Sequence, residues 1–197
     1  MRKPPLPVAI ALSVVALVAA GAYAIAHRPF PPDTTPEGAY ARIALAVANA
    51  HPRDAFAYLE TEAQWASYSI RDARKKARDR VEASYPVADR ASTTAPWAAE
   101  AEAPDGADVF ALFAVRRGWL TRLERDLSGA AHVDVQGERA TVVTARGTRY
   151  SFRRRENGIW GLTLFTAELM AEAERATRDL AIVDAAARDY DVARANR

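Results

Sequence analysis

Cysteine is missing altogether from the 197 residues. Its absence excludes a disulfide scaffold, thiolate-bound zinc or iron–sulfur, a thiol nucleophile and the lipidated cysteine of a bacterial lipoprotein. Lysine is scarce beside arginine, and with abundant alanine this composition points to a GC-rich bacterial genome. A dominant charge sign is lacking as well. The net charge is +2 with 26% charged residues, too balanced to argue for nucleic acid, so no nucleic-acid partner is expected. There is no Gly-x-Ser-x-Gly, no Ser-x-x-Lys and no glycine-rich phosphate loop. His27, His51 and His132 read as membrane-edge, turn and strand-start residues rather than ligands or bases, and Ser67, Ser69 and Ser84 as ordinary helix residues. No residue is therefore assigned to catalysis, to a cofactor or to a metal.

One long apolar run is present. VAIALSVVALVAAGAYAIA, Val8 to Ala26, carries no charge. At about 1.5 Å per residue it makes a helix of about 28 Å, close to the ~30 Å of a hydrocarbon core. Arg2 and Lys3 precede it, so residues 1–7 are expected in the cytoplasm and the remainder outside. Two outcomes are open: an uncleaved transmembrane anchor, or a signal peptide cut at Ala20-Gly21-Ala22 or Ala24-Ile25-Ala26. Residues 27–36 hold the proline-rich RPFPPDTTP, which reads as an extended, stiff linker.

The remainder, 37–197, reads as one extracytoplasmic domain, long enough for its own core. Thr34-x-x-Glu37 has the form of a capping box, opening a helix with Tyr40, Ile43 and Val47 on one face. Phe56, Leu59 and Ala63 share a face of the next, and a longer helix ends near Tyr85-Pro86. Prolines at 86, 96 and 104 and fading periodicity predict a loop over 86–106 that holds at most one short helix. Helix returns over Asp105–Ser128, with Gly118 as a break. The period then changes to two: His132–Val135, Ala140–Ala145, a strand with Tyr150 and Phe152, and one with Trp160, Leu162 and Leu164, the last two joined through Asn157-Gly158. Thr166 is expected to cap a long helix whose Leu169, Ala173, Ala176, Leu180, Val183, Ala187 and Tyr190 form a heptad-like seam. The predicted class is α+β: N-terminal helices, a four-stranded antiparallel meander at about 131–165 and a long C-terminal helix, preceded by one transmembrane helix.

Helices carrying AFAYLETEAQWASYSI, followed by a meander ending in ENGIWGLTLF, resemble the nuclear-transport-factor-two-like (cystatin-like) roll common among exported bacterial proteins. The resemblance implies a curved sheet that cups either a filled core or, in enzyme members, a ligand cavity. Trp65, Tyr68, Trp119, Tyr150, Phe152 and Trp160 are the residues that would line it.

The run RDARKKARDR, Arg71 to Arg80, holds six basic and two acidic residues. On a helix Arg71, Lys75 and Arg78 make a stripe with Arg74 beside it, which is either a solvated face or a contact for an anionic surface. Glu60/Glu62, Glu100/Glu102 and Glu172/Glu174 stand two apart, so the members of a pair do not face each other, and they read as solvated. Arg153 and Arg155 share a strand face opposite Arg154, and Asp134 points away from Val133 and Val135. These features predict a membrane-anchored protein of the bacterial inner membrane with its C-terminal domain in the periplasm, or a periplasmic or secreted one if the leader is cut. The expected role is non-catalytic binding or scaffolding, with an envelope protein or an anionic surface as partner. A roll-cavity carrier or enzyme, and a subunit pairing through the C-terminal helix, are the alternatives.

Overall fold

The computed structural model describes residues 30–196. The predicted membrane segment at 8–26 lies outside them; among the described residues no helix is long and apolar enough to cross a membrane. The unit from Pro32 onward is α+β, with a four-stranded antiparallel sheet and a long C-terminal helix.

Helix α1 (Pro36–Ala48) starts one residue later than the capping box implies. Thr35 is the cap, its Oγ1 accepting from the Gly38 N–H at 3.1 Å, because Pro36 takes the first helical position. The Thr34 carbonyl instead accepts from Trp160 Nε1 at 3.1 Å, tying the start of the domain to the sheet. The short α2 (Pro52–Ala55) and a 3-10 turn (Phe56–Tyr58) lead to α3 (Thr61–Ser84).

The predicted loop over 86–106 is instead largely helical: α4 (Val87–Thr94), a 3-10 turn (Ala95–Trp97) and α5 (Ala98–Glu102). Pro86 precedes α4 and Pro96 sits in the first turn of the next element, where a missing N–H costs nothing. The prolines there divide helices rather than abolish them. Helices α6 (Gly106–Arg116) and α7 (Trp119–Asp126) are separated at Gly118, whose φ of 64° is the left-handed conformation that glycine tolerates.

The sheet runs β1 (Ala130–Gln136), β2 (Arg139–Thr144), β3 (Arg149–Arg154), β4 (Trp160–Leu162), in the order β1-β2-β3-β4. Leu164 does not continue the last strand; it is exposed, while Phe165 turns inward. Helix α8 (Thr166–Ala195) follows. Thr166 is its first residue rather than its cap.

Alternation along the strands sorts the two faces. Ala140, Val142, Tyr150, Phe152, Trp160 and Leu162 are buried on the inner face, against α1 and the aromatic centre. That centre is Trp119 stacked on Phe165 at 4.5 Å, with Phe110 5.9 Å from each. A second cluster unites Ala77, Val81, Tyr85, Trp97, Ala101, Val183 and Ala187, where α3 and α8 run side by side. The seam of α8 is thus buried within the chain itself at Leu169, Ala176, Val183 and Ala187.

Tyr150 stands out in this core. Its ring lies 5.5 Å from that of Tyr40, and its buried hydroxyl has no hydrogen-bond partner among the described residues. Burial first, then the neighbouring Tyr40 and Asp126, push its pKa up to about 12 against the opposing Arg122. A folded pKa above the ordinary 10.0 means that the neutral phenol stabilises the fold below that value, and that this stabilisation is lost as pH rises towards about 12. Tyr150→Phe is therefore expected to raise the alkaline unfolding midpoint, followed by circular dichroism. At neutral pH it should leave stability unchanged or higher by about 1 kcal/mol, since it removes an unpartnered polar group.

Candidate functional site

The outer face of the sheet carries His132, Asp134, Gln136, Arg139, Thr141, Ser151, Arg153, Gly161 and Thr163, from the parity of the strand pairing. A cleft of about 430 Å³ opens over it, between Asp134 and Gln136 at one end and Glu60 and Arg153 at the other. Asp134 is exposed there, as its alternation predicts.

Glu60 reaches the cleft through a close crossing. Leu59 makes a parallel bridge with Leu162, and the Glu60 N–H donates to the Leu162 carbonyl at 3.2 Å. A Cβ on Gly161 would fall 2.5 Å from Glu60 Cα and 2.6 Å from its N, so only glycine allows the approach. The Glu60 residue is 5% exposed. Thr166 Oγ1 donates to its carboxylate, and Arg153 Nη1 stands 3.7 Å away while bonding Glu62 at 2.7 Å. A second hollow of about 610 Å³ continues from Glu60 and Arg153 past Glu62 and Trp65 to Arg154 and Arg155. Arg155 donates to the Ala57 carbonyl at 2.7 Å, and burial lowers its pKa.

The cleft mixes donors (Arg139, Arg153, Gln136) with acceptors (Asp134, Glu60) and hydroxyls that do both (Thr141, Ser151, Thr163). Such a lining suits a ligand rich in hydrogen-bonding groups and of little net charge. Among the described residues no cluster of His, Asp and Glu could hold a metal ion. His51 Nδ1 lies 3.7 Å from Asp54, one turn on, with both side chains exposed.

The six aromatics of the predicted cavity are dispersed. Trp119, Tyr150, Phe152 and Trp160 are buried in the core, where they touch other core residues. Trp65 is 68% exposed and Tyr68 44%, because the buried stripe of α3 passes through Ala63, Ala66, Ser67 and Ile70 instead. Tyr68 packs its ring over Gly106.

The cationic helix is also reassigned. Arg74 is 7% exposed; it pairs with Asp179 of α8 at 2.6 Å and lies 5.6 Å from the Trp97 ring, so it offers nothing to an outside surface. Arg71 and Arg78 donate to the carbonyls of Ala103 and Ala101, at the end of α5, at 3.1 and 3.4 Å. Of the predicted stripe Lys75 is exposed, with Lys76 beside it. These arginines hold the 98–103 segment onto α3.

The carboxylate pairs hide the signal that was missed. Glu60, Glu100 and Glu172 are buried, whereas Glu62, Glu102 and Glu174 are exposed. In the helical pairs Glu100/Glu102 and Glu172/Glu174, positions two apart point about 200° apart, so an outward second residue turns the first one inward; Glu60 lies just before α3 and is buried by the crossing instead. Arginine meets each buried member: Arg153 near Glu60, Arg116 at 2.7 Å from Glu100, and Arg117 against Glu172.

Comparison with protein-family models, with curated proteins and with solved structures found no match. Function is accordingly read from the sites themselves. Arg74→Ala is expected to destabilise the domain by about 2 kcal/mol by leaving Asp179 unpaired and Trp97 uncovered. The double change Lys75→Ala, Lys76→Ala should cost under about 0.5 kcal/mol. Urea unfolding of the two variants checks this.

Proposed function

We propose that the domain is a non-catalytic binding module of the bacterial cell envelope, held at the membrane by the 8–26 segment, with the open sheet face as its binding surface. The observation that carries this reading is the polar cleft itself. The open sheet face ends at a buried carboxylate, Glu60, held by Thr166 and Arg153. The filled aromatic centre beneath the sheet favours a surface site over an interior one.

The ligand class that fits is a polyhydroxylated envelope polymer, a glycan strand. Arginines and hydroxyls on β2 and β3, with the Asp134 and Glu60 carboxylates at the two ends of the cleft, match sugar hydroxyls and amides, and the exposed indole of Trp65 offers an apolar face to a ring at the Glu62 end. The anionic-surface reading loses its basis in Arg71, Arg74 and Arg78, all of which are bonded within the chain.

Two measurements test the reading. In fractionated cells the full chain should sediment with inner membranes, and protease added to spheroplasts should digest the domain; a protected domain would contradict the location. The detergent-extracted chain should co-sediment with purified peptidoglycan sacculi. Gln136→Ala with Arg139→Ala should weaken that binding at least about five-fold, as expected for losing two hydrogen-bonding groups. Absence of binding, or binding untouched by the double change, would refute the assignment of the cleft.

A further inference from the structure

The two edges of the sheet are treated differently. The β4 edge is covered by the Leu59–Glu60 crossing. Strand β1 is the opposite edge, and among the described residues nothing bonds to its outward backbone. Its sequence, AAHVDVQ, contains neither proline nor lysine, and the one feature that turns an edge aside, a bulge, is confined to its first residues at Ala130–His132. Every β1 residue except Val133 is exposed, and Val135, on the core side of the sheet, is 51% exposed. An edge of this kind leaves unpaired N–H and C=O groups beside uncovered apolar side chains.

We propose that β1 pairs antiparallel with β1 of a second copy of this chain, about a two-fold axis through Val133, joining two sheets into one of eight strands. The side chains select this register. With Val133 opposite Val133, His132 of each copy faces Asp134 of the other on the outer face, giving two donor–acceptor pairs. Val135 then lies opposite Ala131, the small residue that the bulge leaves without a partner on β2. Sliding by one pair sets Asp134 against Asp134, a like-charge contact that disfavours the competing register.

The pairing has a consequence for the cleft. Asp134 and Gln136 form its β1 rim, so the second copy brings its own His132 to that rim and sets the two clefts side by side. A polymer lying across the joined face would meet both. The pairing itself rests on the edge alone and holds whatever the cleft binds.

The absence of native cysteine makes the test direct. The full-length chain carrying Val133→Cys is treated in membranes of expressing cells with a short bis-maleimide cross-linker, with Ser151→Cys on the middle of the open face as the comparison. Val133→Cys should give a covalent dimer and Ser151→Cys should not. Adding His132→Asp to Val133→Cys places Asp opposite Asp twice and should lower dimer yield about ten-fold at limiting expression. His132→Asp together with Asp134→His exchanges the partners and should restore it, which also shows that the charge-altered strand still folds. No dimer at Val133→Cys, equal yield at Ser151→Cys, no effect of His132→Asp, or failure of the exchange to restore dimer would each overturn the pairing. Cross-linking at Val133 is read without any ligand and sacculus binding is read through Gln136 and Arg139, so dimer without sacculus binding refutes the cleft alone, and sacculus binding without dimer refutes the pairing alone.

Discussion

The crossing of Leu59–Glu60 over Gly161 is the constraint on which the rest of this domain depends. It ends the sheet at β4, hands the chain into α3 and places the Glu60 carboxylate at the end of the open face. Thr166 bonds that carboxylate from the first residue of α8, so the two longest helices and the last strand meet within a few residues of each other. The cleft owes its shape to this junction: one face of the sheet is packed on the aromatic centre, and the other stays free because the covering chain crosses only at its β4 end.

Around the junction, arginine takes over tasks that cysteine or larger side chains perform elsewhere. The α3–α8 contact is alanine-rich, and alanine buries little area. Charged pairs supplement it along its length: Arg74 with Asp179 and Arg80 with Asp191. The Ser84 hydroxyl first, and Arg80 second, hold the Asp191 carboxyl below its usual pKa, while Arg194 donates to the Ser84 carbonyl at the end of α3. Because planar guanidinium groups satisfy carbonyls and carboxylates together, the arginines of a basic sequence run are bonded within the domain here, and Lys75 and Lys76 form its exposed cationic part.

Much of the architecture was legible from period alone. The change to alternation after Ser128 and the Asn157-Gly158 turn located the four strands, and the seam of α8 marked the face that packs on α3. Phe165 was not legible, because the strand period points to Leu164 and nothing local shows the chain turning inward one residue later. Trp65 misleads for a related reason: aromatic type suggests burial, but the helix phase set by Ala63, Ala66, Ser67 and Ile70 puts it outside. The site itself was hidden in Glu60, whose significance depends on a contact with Gly161, about one hundred residues away in the chain, that no local pattern encodes.

The most direct measurement of the central claim compares Gly161→Ala with Gly129→Ala in chemical unfolding. A methyl at Gly161 meets the Glu60 and Leu59 backbone at 2.5–2.8 Å, whereas one at Gly129 meets nothing within 4 Å. If the crossing organises the domain, Gly161→Ala loses about 2 kcal/mol or more, and Gly129→Ala changes stability by under about 1 kcal/mol. Equal stability of the two variants would contradict it.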